Sequence, residues 1–213
     1  MKDWKLIASV VGGTLAVLVG VSLFFSSSNS KSNSPIDNSA LIANAVNASG
    51  PENSPVTIVE FSDLQCQACR ASWPQVEALL AKYPDKIRFI YRHFPLTSIH
   101  QHAVISAVAA EAAAAQGKFW GYAGILFDQQ DTWSQTRDPK ELFISFAKQI
   151  EIPDIDKFQK DLENQIGKDR VLAELQLGNK LAVNATPTFF VNGEKTTATG
   201  LQLAVEKVLS KPD

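Results

Sequence analysis

Cys66 and Cys69 are the only cysteines of the 213-residue chain, and they stand three residues apart where an apolar run gives way to a helical pattern. Val56 to Phe61, VTIVEF, is apolar on both faces except at Glu60, the pattern of a central strand. Ser62 to Gln65 reads as a short loop. A helix is predicted from about Cys66 to Lys82, kinked at Pro74 and ended near Pro84. Backbone N–H groups in the first turn of a helix lack internal partners, and the helix dipole adds positive charge there. Both favour a thiolate over a thiol, each pKa unit being worth about 1.4 kcal/mol. Residues i and i+3 share a helix face, so the two sulfurs can close a disulfide. The first cysteine sits nearer the exposed end, so Cys66 is expected to meet substrates and Cys69 to resolve the mixed disulfide.

Other chemistries of the pair are weaker. A structural zinc site needs four ligands, and the pair supplies two. A bridge closing so small a loop adds little stability as an inert disulfide. A carrier for a soft ion such as Cu(I) is the alternative of a different class. His93, His100 and His102 show no metal-ligand spacing to the cysteines; proton carriage is one reading of them, and ordinary strand-end or helix-surface histidines the commoner one.

Ile87 to His93, IRFIYRH, alternates and reads as a second strand, making with the first strand and the helix a βαβ unit of right-handed crossover. A helical block follows: Ile99 to Gln116, alanine-rich and ended by Gly117; Phe119 to Gln130; a helix opened by Asp138-Pro139 and running to about Ile150; a short one after Pro153; and Lys168 to Val183. Phe119, Trp120, Tyr122 and Phe127 read as core, and Trp73 as a candidate for the wall of a substrate groove. Thr188 to Val191 is then a strand. Asn192-Gly193 is a hairpin turn, Glu194 to Thr199 the partner strand, and Leu201 to Leu209 an amphipathic helix. The fold class is α/β, a mixed sheet with a helical insertion over about 97–183 between its βαβ and ββα halves.

The N-terminus is of another kind. Leu6 to Phe25 runs for 20 residues without a charge, enough for a helix of about 30 Å to cross a bilayer. A cleaved signal peptide is the alternative, but Leu23-Phe24-Phe25 is a poor cleavage site. Lys2 and Lys5 favour a cytoplasmic N-terminus and an extracytoplasmic remainder. Seven of the 14 residues from Ser26 to Ser39 are serine, so 26–55 reads as a flexible linker. The expected organisation is an anchor at 1–25, the linker at 26–55 and a folded domain at 56–213. A net charge of -2 gives no electrostatic reason to expect nucleic acid as a partner.

The folded part resembles the thioredoxin fold in its DsbA-like form, on VEFSDLQCQAC, on RHFPL with the alanine-rich helix after it, and on ATPTFFVNG. The resemblance implies a cis Thr186-Pro187 bond lying against the disulfide, with the Thr186 backbone pairing with an extended substrate segment. It implies that Glu60 is a buried acid beneath the active site, tuning thiol acidity or carrying a proton for Cys69. Taken with the anchor and orientation read from the N-terminal run, it further implies a membrane-anchored, extracytoplasmic thiol-disulfide oxidoreductase acting on protein substrates and recycled by a membrane redox partner. Its cofactor is its own disulfide. The oxidase direction is favoured, and reduction by the same residues is the alternative. Two departures stand out: Gln67-Ala68 replaces the Pro-His of strongly oxidising members, and Gln65 replaces the tryptophan of the reductases. Residues 26–55 are too short and polar for the dimerisation domain of the dimeric isomerases, so a monomer is expected.

Overall fold

A computed structural model of the chain describes residues 37–211. Strand β2, Val56–Ser62, is buried along its whole length, as its two-sided apolarity requires. It pairs in parallel with β3, Ile87–His93, and antiparallel with β4, Thr188–Val191. The edges are β1, Ala48–Ser49, beside β3, and β5, Glu194–Thr196, beside β4. The sheet order is β1-β3-β2-β4-β5. Helix α2, Gln67–Lys82, crosses from β2 to β3 and contains Pro74. Asn192 makes the tight turn of the β4–β5 hairpin, and its side chain accepts from the Thr57 N–H at 2.7 Å and donates to the Pro55 carbonyl, tying the hairpin to β2.

The pleat of β2 separates two cores. Ile58 faces one side with Phe89, Tyr91, Phe189 and Val191, and this side packs on α2, the helical block and the C-terminal helix Leu201–Leu209. Glu60 lies on the same side of the strand by alternation. Val59 and Phe61 face the other side with Ile90 and Phe190. Between β3 and β4 the chain runs through α3 (Ala103–Ala114), α4 (Phe119–Asp128), α5 (Gln130–Trp133), α6 (Lys140–Gln149), α7 (Ile155–Glu163) and α8 (Lys168–Lys180). Of these, α8 lies on the second core. Gly178 makes that possible, because a Cβ there would stand 2.5 Å from the Phe94 ring and 3.1 Å from Phe61.

Two expectations are corrected. The helix predicted from Ile99 begins at Ala103, because the segment before it is held by other bonds: the His102 N–H donates to Gln65 Oε1 at 2.7 Å, and the Leu96 N–H to Asp63 Oδ2 at 2.8 Å. The linker expected over 26–55 is also shorter, since residues 37–55 belong to the folded body. Helix α1, Asn38–Ile42, is capped by Asp37 and buries Leu41, and β1 extends the sheet. The anchor expected at 1–25 and the rest of the linker lie outside the described residues. Among the described residues no helix is long and apolar enough to cross a membrane.

A buried charge network clasps this N-terminal segment. The Arg92 guanidinium donates to the Leu41 carbonyl at 2.9 Å and the Ala43 carbonyl at 2.6 Å, and pairs with Glu174 at 2.8 Å. Glu174 also accepts from the His93 N–H at 2.7 Å. Nearby, Glu111 accepts from the Asn47 amide at 2.7 Å, bonds His93 Nε2 at 3.0 Å and pairs with Arg170. Arg92 and Glu174 are both almost wholly buried, 2% and 4% exposed in their side chains. Removing one partner strands the other charge in the interior. A Glu174→Ala variant is therefore expected to lose about 3–5 kcal/mol of unfolding free energy in urea titration. A loss below about 1 kcal/mol would contradict the clasp.

Candidate active site

The site is built where β2 ends. Cys66 has extended backbone geometry and caps α2, so the helix itself starts one residue later than its sequence pattern. Its sulfur therefore stands at the positive end of the helix, among N–H groups without intrahelical partners. Cys69 lies one turn in and is fully buried, while Cys66 retains a little exposure. Both are free thiols in this structure.

The two sulfurs differ sharply in acidity. The Cys66 thiol is pulled down to about 5, foremost by the hydrogen bond from the Cys69 thiol; burial opposes this, and the Thr186 side chain and the Cys69 and Ala68 backbone donors add to it. The Thr186 hydroxyl has no hydrogen-bond partner among the described residues and falls short of hydrogen-bond geometry to Cys66, so its effect on the thiol is one of proximity. Cys69 is pushed the other way, first by burial, then by its bond to Cys66 and by the charges of Glu60 and Cys66. One negative charge is thus assigned to the outer sulfur, the one a substrate can reach.

Thr186 and Pro187 come to the same place from the other half of the sheet. Their peptide bond is cis, and the Thr186 carbonyl lies 3.5 Å from Cys66 Sγ. Glu60 lies beneath, 1% exposed, and neither of its carboxylate oxygens has a hydrogen-bond partner among the described residues. Burial pushes its carboxyl up to about 8; the nearby Ser62 hydroxyl, which falls short of hydrogen-bond geometry, restrains the shift and the Cys66 charge adds to it. Glu60 is therefore a neutral acid at pH 7. The structure brings Cys66, Cys69, Thr186 and Pro187 to one place, with Glu60 beneath it.

Several groups of the site have no strong mark in the sequence. Asp63 anchors the loop before the cysteines: its Oδ1 accepts from the Gln65 N–H, its Oδ2 from the Leu96 N–H and from the His100 ring, each at 2.8 Å. Its own N–H points to Cys69 Sγ at 3.5 Å. From the helical insertion, Gln130 donates to the Leu64 and Cys66 carbonyls. The only sequence signal for these groups is that the Asp-Leu-Gln loop is polar where a buried strand ends. A cleft of about 700 Å³ opens beside Cys66, lined among others by Gln67, Leu96, Ile99, His100, Gln135 and Thr186. Ile99 stands 70% exposed on it. Trp73, the sequence candidate for a groove wall, is absent from the lining: it lies in the core against Trp120 and Phe127. Among the described residues no three His, Cys, Asp or Glu side chains are grouped to hold a metal ion.

The low acidity constant sets a pH dependence for the reduced protein. A thiol at about 9 in the unfolded chain and about 5 in the fold contributes stability in full above about 9, lost as pH falls through about 5. Thiolate absorbance of the reduced protein is expected to titrate with a midpoint near 5, and Cys66→Ser to abolish that transition. A midpoint in the free-thiol range, about 8.5, would remove the electrostatic basis of the site.

Comparison with known proteins agrees with this geometry. The thioredoxin family model matches residues 44–209. Among solved structures, oxidised BdbD from Bacillus subtilis superposes with a TM-score of 0.68 at 22% identity, over 78% of this chain and 93% of that one. A thioredoxin-like oxidoreductase from Silicibacter pomeroyi gives 0.65 at 25% identity, over 82% and 98%. The thiol-disulfide exchange protein alpha-DsbA2 from Wolbachia pipientis gives 0.68 at 21%, over 80% and 91%. Curated relatives are named Na(+)/H(+) antiporter NhaA: one from Salinispora tropica is 38% identical and one from Salinispora arenicola 37%, each over 146 residues. The chain spans about a fifth of their length (21% in both), so their name describes much that has no counterpart here. With a family match over most of the folded body, the chain belongs to the thioredoxin family, and its fold is that of the DsbA-like thiol-disulfide oxidoreductases.

Proposed function

We propose that the protein is a membrane-anchored, extracytoplasmic oxidase of protein thiols, using Cys66 and Cys69 as its redox pair. The observation that carries this reading is the opposed acidity of the two sulfurs. A thiolate held at about 5 stabilises the reduced pair relative to the disulfide, which makes the disulfide an oxidant. In the oxidised form a substrate thiolate attacks Cys66 Sγ. The Cys66–Cys69 bond breaks, its electron pair leaves on Cys69, and the Glu60 carboxyl supplies the proton. The product is a mixed disulfide between Cys66 and the substrate. A second substrate thiolate then attacks the substrate sulfur of that bond, and Cys66 departs as the stabilised thiolate. The substrate leaves with a new disulfide and the enzyme as a dithiol, which a membrane redox partner reoxidises. The Thr186 backbone, beside Pro187, pairs with the extended substrate segment in the cleft. Anchoring rests on the uncharged run Leu6 to Phe25 with Lys2 and Lys5 before it. The enzyme works as a monomer on unfolded or extended protein substrates.

Equilibration of the 66–69 pair with glutathione tests the direction. The oxidase reading expects a potential well above about -230 mV, whereas a value near -270 mV, that of thioredoxin, would make the protein a reductase. In the same preparation Cys69→Ala is expected to accumulate mixed disulfides and Cys66→Ala to capture none. Equal trapping by both would reverse the assignment of roles.

Glu60 offers a separate test. Its carboxyl ionises at about 8 in the fold against about 4.5 when free, so it contributes nothing unfavourable at low pH. Its burial becomes destabilising as pH rises past 4.5 and fully so above 8. Glu60→Gln is expected to raise unfolding free energy at neutral pH by on the order of a few kcal/mol while slowing disulfide exchange. A variant that is less stable at pH 7 yet unimpaired in exchange would dismiss the neutral buried acid.

A further inference from the structure

The cleft beside Cys66 has walls of apolar and neutral polar side chains, with no Asp, Glu, Lys or Arg. Gln65, Gln67, Gln130, Ser134, Gln135 and Asn184 contribute amides and a hydroxyl, and of its lining side chains Cys66 and His100 alone titrate. The ring of His100 is fixed from behind. Its Nδ1 lies 2.8 Å from Asp63 Oδ2, and the Asp63 side chain is itself fully buried and held by two backbone N–H groups. A carboxylate accepts and does not donate, so Nδ1 carries a proton, and in the neutral ring Nε2 then carries the lone pair. Nε2 has no protein partner among the described residues, and the side chain keeps 19% of its exposure. The other two histidines are engaged elsewhere: His93 Nε2 bonds Glu111, and His102 Nε2 donates to the Thr136 carbonyl at 2.7 Å.

We propose that His100, oriented by Asp63, is the proton acceptor for the incoming substrate thiol, a role that rests on the thiol-exchange reading above. A cysteine thiol with ordinary acidity, about 8.5, is mostly protonated at neutral pH and attacks only as thiolate. His100 Nε2 takes that proton as the substrate sulfur bonds to Cys66 Sγ. The Cys66–Cys69 bond breaks, its electron pair leaves on Cys69, and Glu60 protonates it. The substrate sulfur is oxidised to the mixed disulfide, Cys69 is reduced, and His100 returns its proton to solvent before the second thiol arrives. Of the titratable groups, Asp63, from the loop after β2, bonds His100, and Cys66, from the start of α2, lines the same cleft. The insertion side and the 184–186 loop present only Gln130, Ser134, Gln135, Asn184, Ala185 and Thr186.

The test compares two reductants of the oxidised full-length protein. A cysteine peptide must give up a proton to attack; a water-soluble trialkylphosphine attacks the disulfide with none to lose. His100→Asn keeps an N–H for Asp63 and removes the base. It is expected to slow the peptide reaction about a hundredfold near pH 6.5, the low end of general-base effects. The difference should shrink to under about twofold near pH 9.5, where the peptide thiol ionises unaided. The phosphine reaction should be unchanged. Equal slowing of both reductants, slowing that does not vary with pH, or no slowing overturns the role of His100. A wild-type disulfide inert to the peptide but open to the phosphine overturns the exchange reading itself, which separates the two failures.

Discussion

A single negative charge shared unequally between two sulfurs is the constraint on which the rest of the site depends. Cys66 and Cys69 differ by one helical turn, yet one is held far below a free thiol and the other far above it. The cause is positional. Cys66 sits at the helix mouth and receives donors from Cys69 and the backbone, with Thr186 beside it, whereas Cys69 is enclosed above a buried acid. Moving the helix start by one residue would rotate both sulfurs by about 100° and exchange the environments that set them apart. The packing that fixes the start of α2 is therefore part of the chemistry.

That packing comes mainly from outside the βαβ unit. Gln130 of the insertion closes onto the carbonyls of Leu64 and Cys66, and Gln65 answers by donating to the Ser134 carbonyl. Asp63 ties the same loop to Leu96 and His100, beyond β3. The insertion thus has two effects at once. It clamps the loop that aims the cysteines, and it builds the far wall of the cleft through Ser134 and Gln135. The opposite face of the sheet is secured separately by the Arg92–Glu174 pair, which anchors α1 and α8 without touching the redox centre.

How far the sequence discloses this depends on the range of the interaction. The strand before the cysteines, the helix after them and the Asn192-Gly193 turn are local patterns, and all three are legible. Residues 37–55 are not, because LIANAV is a brief apolar run of which Leu41 alone is buried, and its place is fixed by Arg92, some fifty residues away. The start of α3 is displaced for the same reason: the local pattern allows an earlier helix, and bonds to Asp63 and Gln65 override it. Glu60 is half legible. Its strand pattern poses a choice between pairing and neutrality, and only the structure shows that no partner arrives. Trp73 misleads because nearness in sequence to the motif places it on the buried face of α2, turned from the cleft.

The substitution of Gln67-Ala68 for Pro-His removes a donor from between the cysteines, and on sequence alone that argues for a weaker oxidant. The geometry answers the argument. The groups that lower Cys66 are the Cys69 thiol, the Thr186 side chain and backbone N–H groups, none of which depends on the identity of residues 67 and 68. Replacing a histidine by Ala68 also leaves the N–H of that residue in place, since the backbone supplies it whatever the side chain. A cationic histidine inside the motif would stabilise the thiolate and put a charge on the cleft; Gln67 and Ala68 line it without one. The site thus combines a strongly stabilised thiolate with a cleft whose lining carries no Asp, Glu, Lys or Arg.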